Sequence, residues 1–546
     1  MALKSIFNFA PLNKKVYTPA WSDKLAKDVS QDAPFADGED GIITFDITNM
    51  SPMFIRNKDK DDVIPCHIDE KDGKCRFMIP GTSIKGMLRS TMEVFSFAKM
   101  TQYQDRYFSE NRDFGTKTRN DSKAKPHCGW IFKRDDDYYI KLCCNDFDKI
   151  RIKEMPTKPY GATNYERNKS LAVNGKWYPE YNGMRIVCTG GFGKPDSKNC
   201  KKHEYLFPDE KDTYNDEKLP EEVVTKFLSV YANTDGFDKY LDRLKKGLSV
   251  PVFVLMDDEE NITLIGQPRN MRIPFNKGVR QLVLDYQEKK ENPDLCETIF
   301  GYVNKYDSSM RGRVQIAHAF TEPVNKESAL MNLVSGVLGT PKASYYPLYL
   351  KQDGNKYKTY DNAKTIAGRK FYRVRCADVT EELINNGKKN VLSHFRPLKK
   401  GQTFKCRINV HNLKPVEIGA ILSSLLLHNA QGVYHNMGMA KGYGYGKIKV
   451  ENVQLDSLSK SVNEYLKIFE NEMDAFLGGS GAWRKSEEVT TLLQILSEHA
   501  PSTDLGVMNM EKWINGKKIN EFREAKNFKN FDTLQERNKV VIPEIS

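Results

Sequence analysis

Residues 79–89 read Ile79-Pro80-Gly81-Thr82-Ser83-Ile84-Lys85-Gly86-Met87-Leu88-Arg89, a turn that leads into a helix. Pro followed by Gly is a turn signal, and Thr82 or Ser83 can cap the free N–H groups of the helix behind it. Apolar residues from Ile84 onward recur at spacings of three and four, which predicts one buried face. Lys85 and Arg89 are four residues apart and therefore share another face.

The start of this predicted helix has the charge of an anion-binding site. A helix N-terminus presents unpaired N–H groups and the positive end of the helix dipole. Lys85 and Arg89 add two full positive charges nearby. These features suit a phosphate backbone, although any capped helix also opens in this way.

A second segment with related chemistry lies far downstream. Residues 438–447 read Gly438-Met439-Ala440-Lys441-Gly442-Tyr443-Gly444-Tyr445-Gly446-Lys447 and run into a predicted strand, 447–453. The glycines allow another backbone to approach closely, the tyrosines offer faces on which unpaired bases can stack, and the lysines add charge. Each segment alone is weak evidence for a site, and the pair is more specific.

The composition is compatible with a nucleic-acid partner. The chain has 546 residues, too many for one ordinary domain, and carries 84 Lys and Arg against 72 Asp and Glu, a net charge of +12. Aromatic residues make up 11%, and basic charge with aromatic faces is typical of proteins that bind single strands. No apolar run approaches the roughly 20 residues that span a bilayer, and the N-terminus lacks the apolar segment of a secretory signal. We therefore expect a cytoplasmic protein without membrane contact.

At these two segments the sequence resembles the RAMP superfamily of CRISPR-associated proteins. That family has an Ile-Pro-Gly-Ser-Ser-x-Lys-Gly-x-x-Arg segment near its N-terminus and a glycine-rich loop near its C-terminus. Weaker similarities follow in the family's order, and they are residues 297–301, 311–316, 412–413 and 417–422. Residues 366–372 look like a segment of the larger single-chain RAMP proteins.

The resemblance implies an α+β fold of ferredoxin-like (RRM-like) RAMP units. It also implies a subunit of a type III-like interference complex that holds CRISPR guide RNA in a basic groove. Its partners would be guide RNA, target RNA and other CRISPR effector subunits. Carried over by position, the RNA-binding residues would be Thr82, Ser83, Lys85, Arg89, Lys441, Tyr443, Tyr445 and Lys447.

Two domain arrangements stay open. Residues 266–275 look like a degenerate second copy of the Ile-Pro-Gly segment, which favours two RAMP units in tandem, 1–247 and 248–456. The alternative is one RAMP core enlarged by a long insertion, because each clear motif occurs once. The polar helical pattern beyond Ser457 predicts a helical C-terminal appendage, 457–546, that docks another protein.

An acidic loop upstream of the Ile-Pro-Gly segment raises an alternative function. Some members of the family cut target RNA with an aspartate in this position, and Asp59, Asp61 and Asp62 occupy the corresponding loop here. A carboxylate there could bind Mg²⁺ or position the 2′-hydroxyl for attack on its phosphate. The alternatives are therefore a metal-dependent endoribonuclease and a non-catalytic capping or scaffolding subunit with a solvated acidic loop.

Histidine and cysteine residues give weaker hypotheses. Among His67, His428 and His435, the last lies nearest to the glycine-rich loop and is the better candidate for histidine-based RNA cleavage. Tetrahedral zinc needs four ligands at short paired spacings. Neither Cys188 with Cys200 and His203, nor Cys66 with His67 and Cys75, provides such a set, so free thiols and no metal are predicted.

Overall fold

The chain folds as two units in a computed structural model. Unit 1 comprises Met1–Tyr103 and Leu282–Ser546, and unit 2 comprises Gln104–Gln281, so unit 2 is an insertion in the chain of unit 1. The structure describes residues 4–22, 34–56, 63–110, 126–189, 201–268, 271–288, 292–305, 308–338, 342–353, 357–375, 392–499, 508, 512–514 and 517–526.

The strands and helices follow in chain order. Unit 1 begins with β1 (Phe7–Ala10), β2 (Glu39–Asn49), β3 (His67–Asp69), β4 (Lys74–Ile79) and α1 (Gly81–Phe95). Unit 2 contains β5 (Ser109–Glu110), β6 (His127–Arg134), β7 (Asp137–Leu142), β8 (Asp148–Arg151), α2 (Asn164–Ser170), β9 (Glu180–Tyr181), β10 (Met184–Val187), β11 (His203–Pro208), β12 (Glu217–Lys218), α3 (Glu221–Tyr231), α4 (Phe237–Lys245), β13 (Val250–Met256), β14 (Ile262–Gly266) and β15 (Ile273–Pro274). Unit 1 continues with α5 (Asp285–Glu288), α6 (Leu295–Phe300), β16 (Gly301–Lys305), β17 (Ser308–Arg311), β18 (Val314–Ile316), β19 (Ala319–Phe320), β20 (Val324–Asn325), α7 (Lys326–Ala329), β21 (Val334–Gly336), α8 (Tyr346–Tyr349), β22 (Arg369–Tyr372), β23 (Ser393–Phe395), β24 (Thr403–Leu413), α9 (Pro415–Leu426), β25 (His435–Asn436), β26 (Lys447–Asp456), α10 (Val462–Leu477), α11 (Ala482–Lys485), α12 (Glu487–Leu496), β27 (Lys512–Ile514), β28 (Lys517–Ile519) and α13 (Glu521–Lys526).

Unit 1 is built on one antiparallel sheet. Its strands lie in the order β20-β4-β19-β24-β2-β26-β25, with β18 also paired to β24 and β3 to β4. The long strands β2 and β24 alternate between buried and more exposed residues, as a strand does when one face lies on a core. Ile43, Phe45 and Ile47 are the inward residues of β2.

Helices α1 and α9 bury their apolar residues in the same core as β2 and β24. Ile84 and Leu88 of α1 and Ile418 and Leu422 of α9 are completely buried in that core. Apolar periodicity in the sequence also predicts a helix over 415–427 and a strand over 41–48. Both of these, and the apolar helix after Pro80, are confirmed.

Helices α10, α11 and α12 belong to the core of unit 1. Helix α10 contacts α9, and Tyr465, Phe469, Trp483 and Leu492 are buried in the core that also holds α1. Helices do follow Ser457, as the sequence predicts, and the apolar faces of α10 and α12 are covered by unit 1 itself.

Unit 2 has a separate core around a second antiparallel sheet. The sheet order is β12-β7-β6-β13-β14, and helices α3 and α4 pack on the face that carries Ile131 and Ile140. On the other face, Trp130 and Phe253 pack with Phe207 from the smaller sheet β8-β11-β10-β9. Turn residues between apolar runs predict hairpins around residues 134–137 and 257–261, and both are confirmed.

The observed units differ from the predicted ranges 1–247, 248–456 and 457–546. Strand β13 begins just after residue 247 and pairs with β6 and with β14, so the chain on both sides of that residue forms one sheet. Residues 266–275, the suggested second Ile-Pro-Gly copy, include β15, which pairs with β5. Unit 2 is therefore one continuous insertion in the chain of unit 1.

All four of the weak sequence similarities meet in one buried cluster of unit 1. The guanidinium of Arg313 forms an ion pair with Glu417 and donates from Nε to the carbonyl of Thr298 at 2.9 Å. The Thr298 hydroxyl donates to Glu417 at 2.7 Å, and Arg313 also binds the carbonyl of Asn412. Arg313 and Glu417 are 3% and 0% exposed. These segments therefore share a structural role, because each supplies either one charge of a desolvated ion pair or a group that hydrogen-bonds to it.

The fold class is mixed α/β with antiparallel sheets, which confirms the sequence prediction at this level. Within the described ranges, every helix is too short or too polar to cross a bilayer.

Candidate nucleic-acid interface

Helix α1 begins at Gly81, and its first turn is held by backbone groups. The N–H groups of Ser83 and Ile84 donate to the carbonyl of Pro80 at 2.9 and 3.3 Å. Pro80 is the N-cap, and neither Thr82 nor Ser83 makes a capping hydrogen bond. The prediction that one of these two side chains caps the helix is therefore wrong. Thr82 is exposed and Ser83 half-buried. Their hydroxyls therefore stay available beside the positive end of the helix.

Gly81 allows the helix to start against the neighbouring sheet. A Cβ at this position would lie 2.3 Å from the carbonyl oxygen of Ile316 and 2.9 Å from that of Ala317. Only glycine fits such a close approach. The Gly81 N–H donates to Nδ1 of His318 at 3.0 Å, so the neutral His318 ring carries its proton on Nε2. His318 is exposed, and sequence analysis missed it because its proximity to Gly81 arises from the sheet.

Lys85 and Arg89 lie along α1 with different partners. The Lys85 Nζ lies 5.6 Å from the centre of the Phe300 ring. Partial burial, and then the charge of Arg89, lower the pKa of Lys85. No carboxylate of the described residues lies within 4.0 Å of Lys85. Arg89 donates from Nε to Glu93 at 3.1 Å. Lys85 is therefore the unneutralised cation of this helix, whereas Arg89 is partly neutralised.

The glycine-rich loop is bonded tightly to the edge of the sheet. The Met437 N–H donates to the carbonyl of Gly446, and the Gly446 N–H donates to the carbonyl of Pro52, both at 2.8 Å. Gly446 has φ 75°, and a Cβ there would lie 1.8 Å from the Met437 carbonyl oxygen. The loop needs glycine here for both its backbone conformation and its close approach.

The side chains of this loop that the resemblance assigns to RNA binding have different environments. Tyr445 is 2% exposed, and its ring centre lies 5.6 Å from that of Phe395, so it serves the core and presents no free face for a base. The Tyr443 hydroxyl donates to the carbonyl of Val337 at 2.6 Å. Lys447 lies 3.6 Å from Glu498, with its side chain 15% exposed. Lys441, half-buried, lies over the ring of Tyr372.

The aspartate, histidine and metal hypotheses from the sequence have different outcomes. Asp59, Asp61 and Asp62 lie outside the described residues. His435, the preferred histidine, is 3% exposed, and burial lowers its pKa to about 4, so it is a neutral core residue. His67 lies 3.3 Å from Asp69. In the described part of the chain, no three His, Cys, Asp or Glu side chains are grouped so that they could hold a metal ion.

The third histidine, His428, belongs to a buried polar cluster on α10. Its Nδ1 lies 3.0 Å from the Ser423 hydroxyl, and its Nε2 lies 3.4 Å from Glu470, which also binds Arg484. The hydrogen bond from His428, and then the contacts of Arg484, lower the pKa of Glu470 from 4.5 to about 2 against its partial burial. The cluster joins α9, α10 and α11 and is a structural element.

This cluster predicts a loss of stability in acid. A carboxyl whose pKa is lowered by folding stabilises the protein above its ordinary pKa, and this contribution disappears as the pH falls from 4.5 towards 2. We expect the thermal midpoint of the Glu470→Gln variant to fall less over that interval than that of the unaltered protein. Thermal unfolding followed by circular dichroism at several pH values measures both curves. Parallel curves would contradict the assignment.

Comparison with known proteins adds little to this description. No model of a protein family matches the chain, and no curated protein matches it. Among solved structures, a chain described as "CRISPR RNA-guided surveillance complex, pre-nicking" has a TM-score of 0.24 and 12% identity, over 80% of this chain and 90% of that chain. A TM-score this low assigns neither a fold nor a function.

Proposed function

We propose that the protein is a guide-RNA-binding RAMP subunit of a type III-like CRISPR interference complex, with a ferredoxin-like core in unit 1. The observation that carries the proposal is the strand order. In a ferredoxin-like fold, each of two helices connects strands that have one further strand between them. Here α1 lies in sequence between β2 and β18, which flank β24, and α9 lies between β24 and β26, which flank β2.

The positions of the two family-like segments support the same proposal. The Ile-Pro-Gly segment ends β4 and starts α1, and the glycine-rich loop leads directly into β26. The first segment therefore begins the first core helix, and the second precedes the last core strand, which is the order that the family resemblance implies.

The RNA would be held mainly by its phosphates. Lys85 supplies an unneutralised charge next to the exposed Thr82 hydroxyl, and the N–H groups of the first turn add partial positive charge. Arg89 uses only Nε for Glu93, and its two terminal amino groups make no hydrogen bond to a described residue. A phosphate could bind there in a bidentate manner. Such contacts position a strand without reading its sequence.

The first test is replacement of the two cations of α1. For the Lys85→Ala/Arg89→Ala variant we expect weaker binding of single-stranded RNA and a slope of log K against log salt that is smaller by about 0.7 for each lost phosphate contact. Filter binding over a series of salt concentrations measures both quantities. Lys449→Ala is the matched control, because this exposed lysine is already paired with Glu451 at 2.9 Å. An unchanged slope would contradict the assignment of α1 to RNA.

Identification of the bound RNA tests the biological class. The protein would be purified from cells that contain a CRISPR array, and the RNA that accompanies it would be sequenced. The proposal expects repeat-derived RNA that is depleted in the Lys85→Ala/Arg89→Ala variant and retained by Lys449→Ala. RNA without repeat sequence would contradict the guide-binding role.

A further inference from the structure

Two cysteine thiols of unit 2 lie opposite each other on neighbouring strands. The pairing of β6 with β7 places Gly129 opposite Leu142, so the next pair outward is Cys128 and Cys143. The Cys143 N–H donates to the carbonyl of Cys128 at 3.0 Å, in agreement with this register. Both side chains are buried in the cluster that holds Trp130, on one face of the sheet. The two thiols therefore lie on the same side of the same strand pair.

The spacing of this pair fits a disulfide bond. Residues that face each other across a hydrogen-bonded antiparallel pair have Cα atoms about 5.5 Å apart. A disulfide joins Cα atoms that are usually about 4.4–6.8 Å apart. Strand β7 ends at Leu142, and Cys143 follows it directly, so the two thiols lie at the end of this strand pair. A bond between them requires no change in the register of β6 and β7.

The two thiols also contact each other. A hydrogen bond with Cys143, and then burial, raise the pKa of the Cys128 thiol far above its usual value. Each sulfur also lies near a carbonyl oxygen, Cys128 at 3.9 Å from that of Asn145 and Cys143 at 4.0 Å from that of Pro208. Because a thiolate, and not a thiol, attacks a disulfide, the packed pair reacts slowly. It therefore responds to lasting oxidation and not to a brief pulse of oxidant.

Packing alone leaves the pair unexplained. A single buried cysteine usually behaves as a small apolar residue, as Cys406 does in the core of unit 1. Cys128 and Cys143 instead bring two thiols into contact. Their exposed fractions are 1% and 9%, so a reagent from solvent reaches Cys143 first. The next residue, Cys144, is exposed and provides a control thiol beside the pair.

We propose that Cys128 and Cys143 form a reversible disulfide, with a small organic disulfide such as oxidised glutathione as the oxidant. The Cys143 thiolate attacks one sulfur of the oxidant, so that a mixed disulfide forms and one glutathione thiolate leaves. The Cys128 thiolate then attacks the Cys143 sulfur, the mixed disulfide breaks, and the second glutathione thiolate leaves. The two protons of the protein thiols pass to the two glutathione molecules. The protein loses two electrons, which reduce one molecule of the oxidant.

The disulfide acts on the stability of unit 2. It closes the chain from residue 128 to residue 143 covalently, which restricts the unfolded chain more than the folded one. Trp130 donates from Nε1 to the carbonyl of Pro208 at 3.0 Å, and the Cys143 sulfur lies near the same carbonyl. Pro208 ends β11 of the smaller sheet, so the pair lies where the two sheets of unit 2 meet. Oxidation therefore fastens this junction, and the inference does not depend on RNA binding.

Mass spectrometry of the oxidised full-length protein tests the bond. The protein is reduced, freed of reductant and exposed to oxidised glutathione. It is then quenched with acid, and its free thiols are alkylated in denaturant. Trypsin separates Cys128 from Cys143, because Lys133 and Lys141 lie between them. We expect the peptide with Cys128 to be joined to the peptide with Cys143 and Cys144, and dithiothreitol to separate the two.

Two single variants assign the bond to one sulfur of the second peptide. Cys144→Ser should keep the joined peptides, whereas Cys143→Ser should lose them. If Cys143→Ser does not fold, Cys144→Ser still decides the question. Loss of the joined peptides in Cys144→Ser would place the bond on the exposed thiol and overturn the proposal.

Thermal unfolding measures what the bond does. We expect oxidation to raise the midpoint of the transition in which unit 2 unfolds by about 6–12 °C, the shift typical of a closed loop of about 15 residues in a unit of this size. Dithiothreitol should reverse the rise. A Cys128 thiol that stays free after prolonged oxidation, or joined peptides that form only in urea, would overturn the proposal. Joined peptides with an unchanged midpoint would overturn the effect on stability.

Discussion

Replacement of Arg313 by methionine is expected to lower the free energy of unfolding by about 3–5 kcal/mol, the typical result of leaving one buried charge without its partner. Glu417 is completely buried, and its carboxylate is held by Arg313 and by the Thr298 hydroxyl. Methionine fills much of the same volume but supplies no charge. Glu417 must then stay charged without compensation or take up a proton, and either change disfavours the folded state.

Urea unfolding followed by circular dichroism measures this effect in the transition of unit 1. Two controls separate charge from packing. Arg313→Met/Glu417→Leu removes both charges and should recover much of the lost stability, because no buried charge is left unpaired. Lys405→Met removes one partner of an exposed pair with Glu322 at 3.0 Å and should change stability little. Equal effects of Arg313→Met and the double variant would show that packing, and not charge, dominates.

The Trp483→Ala variant is expected to lose about 3–5 kcal/mol, the usual result of removing a large buried aromatic side chain. Trp483 is completely buried, and its indole N–H donates to the carbonyl of Phe95 at 2.8 Å. Its ring also packs against Phe469 and His428, with ring centres 5.5 and 4.7 Å apart. The substitution would leave both a cavity and an unpaired carbonyl at the end of α1.

This second prediction decides between an appendage and an integral part of unit 1. A C-terminal appendage would tolerate Trp483→Ala, and its deletion from residue 481 would spare the rest of the fold. The structure instead predicts that both changes destabilise unit 1. Tyr160→Ala is the control, since that side chain is 71% exposed and such substitutions are usually within about 0.5 kcal/mol of neutral.

Local patterns in the sequence predict local elements well. The helix after Pro80, the helix over 415–427 and the hairpin around 134–137 depend on periodicity and turn residues within short windows. The unit boundary depends on which strands pair, and β6 and β13 pair across more than a hundred residues. Nothing in the sequence near residue 247 reports that pairing.

Side-chain environment was harder to predict than backbone structure. Tyr445 and Tyr443 look equivalent in the glycine-rich loop, but the backbone turn buries Tyr445 beside Phe395. Lys370 lies in residues 366–372, which the sequence singled out only by their resemblance to the larger RAMP proteins. It lies near Lys441 because the fold brings these distant segments together. The sequence shows which residues are cations, but only the fold determines whether a carboxylate lies beside each of them.

The pairing of β2 with β24 also sets the order in which the protein can fold during synthesis. Thr48 and Thr403 lie on adjacent strands but are 355 residues apart in sequence. At typical translation rates of about 5–20 residues per second, β2 would wait roughly 18–70 s for its central partner. Unit 2 is one continuous stretch of chain and can fold during that interval. During that interval the apolar face and the unpaired edge of β2 are open to association with other unfinished chains, which makes this strand the point in the fold most exposed to aggregation during synthesis.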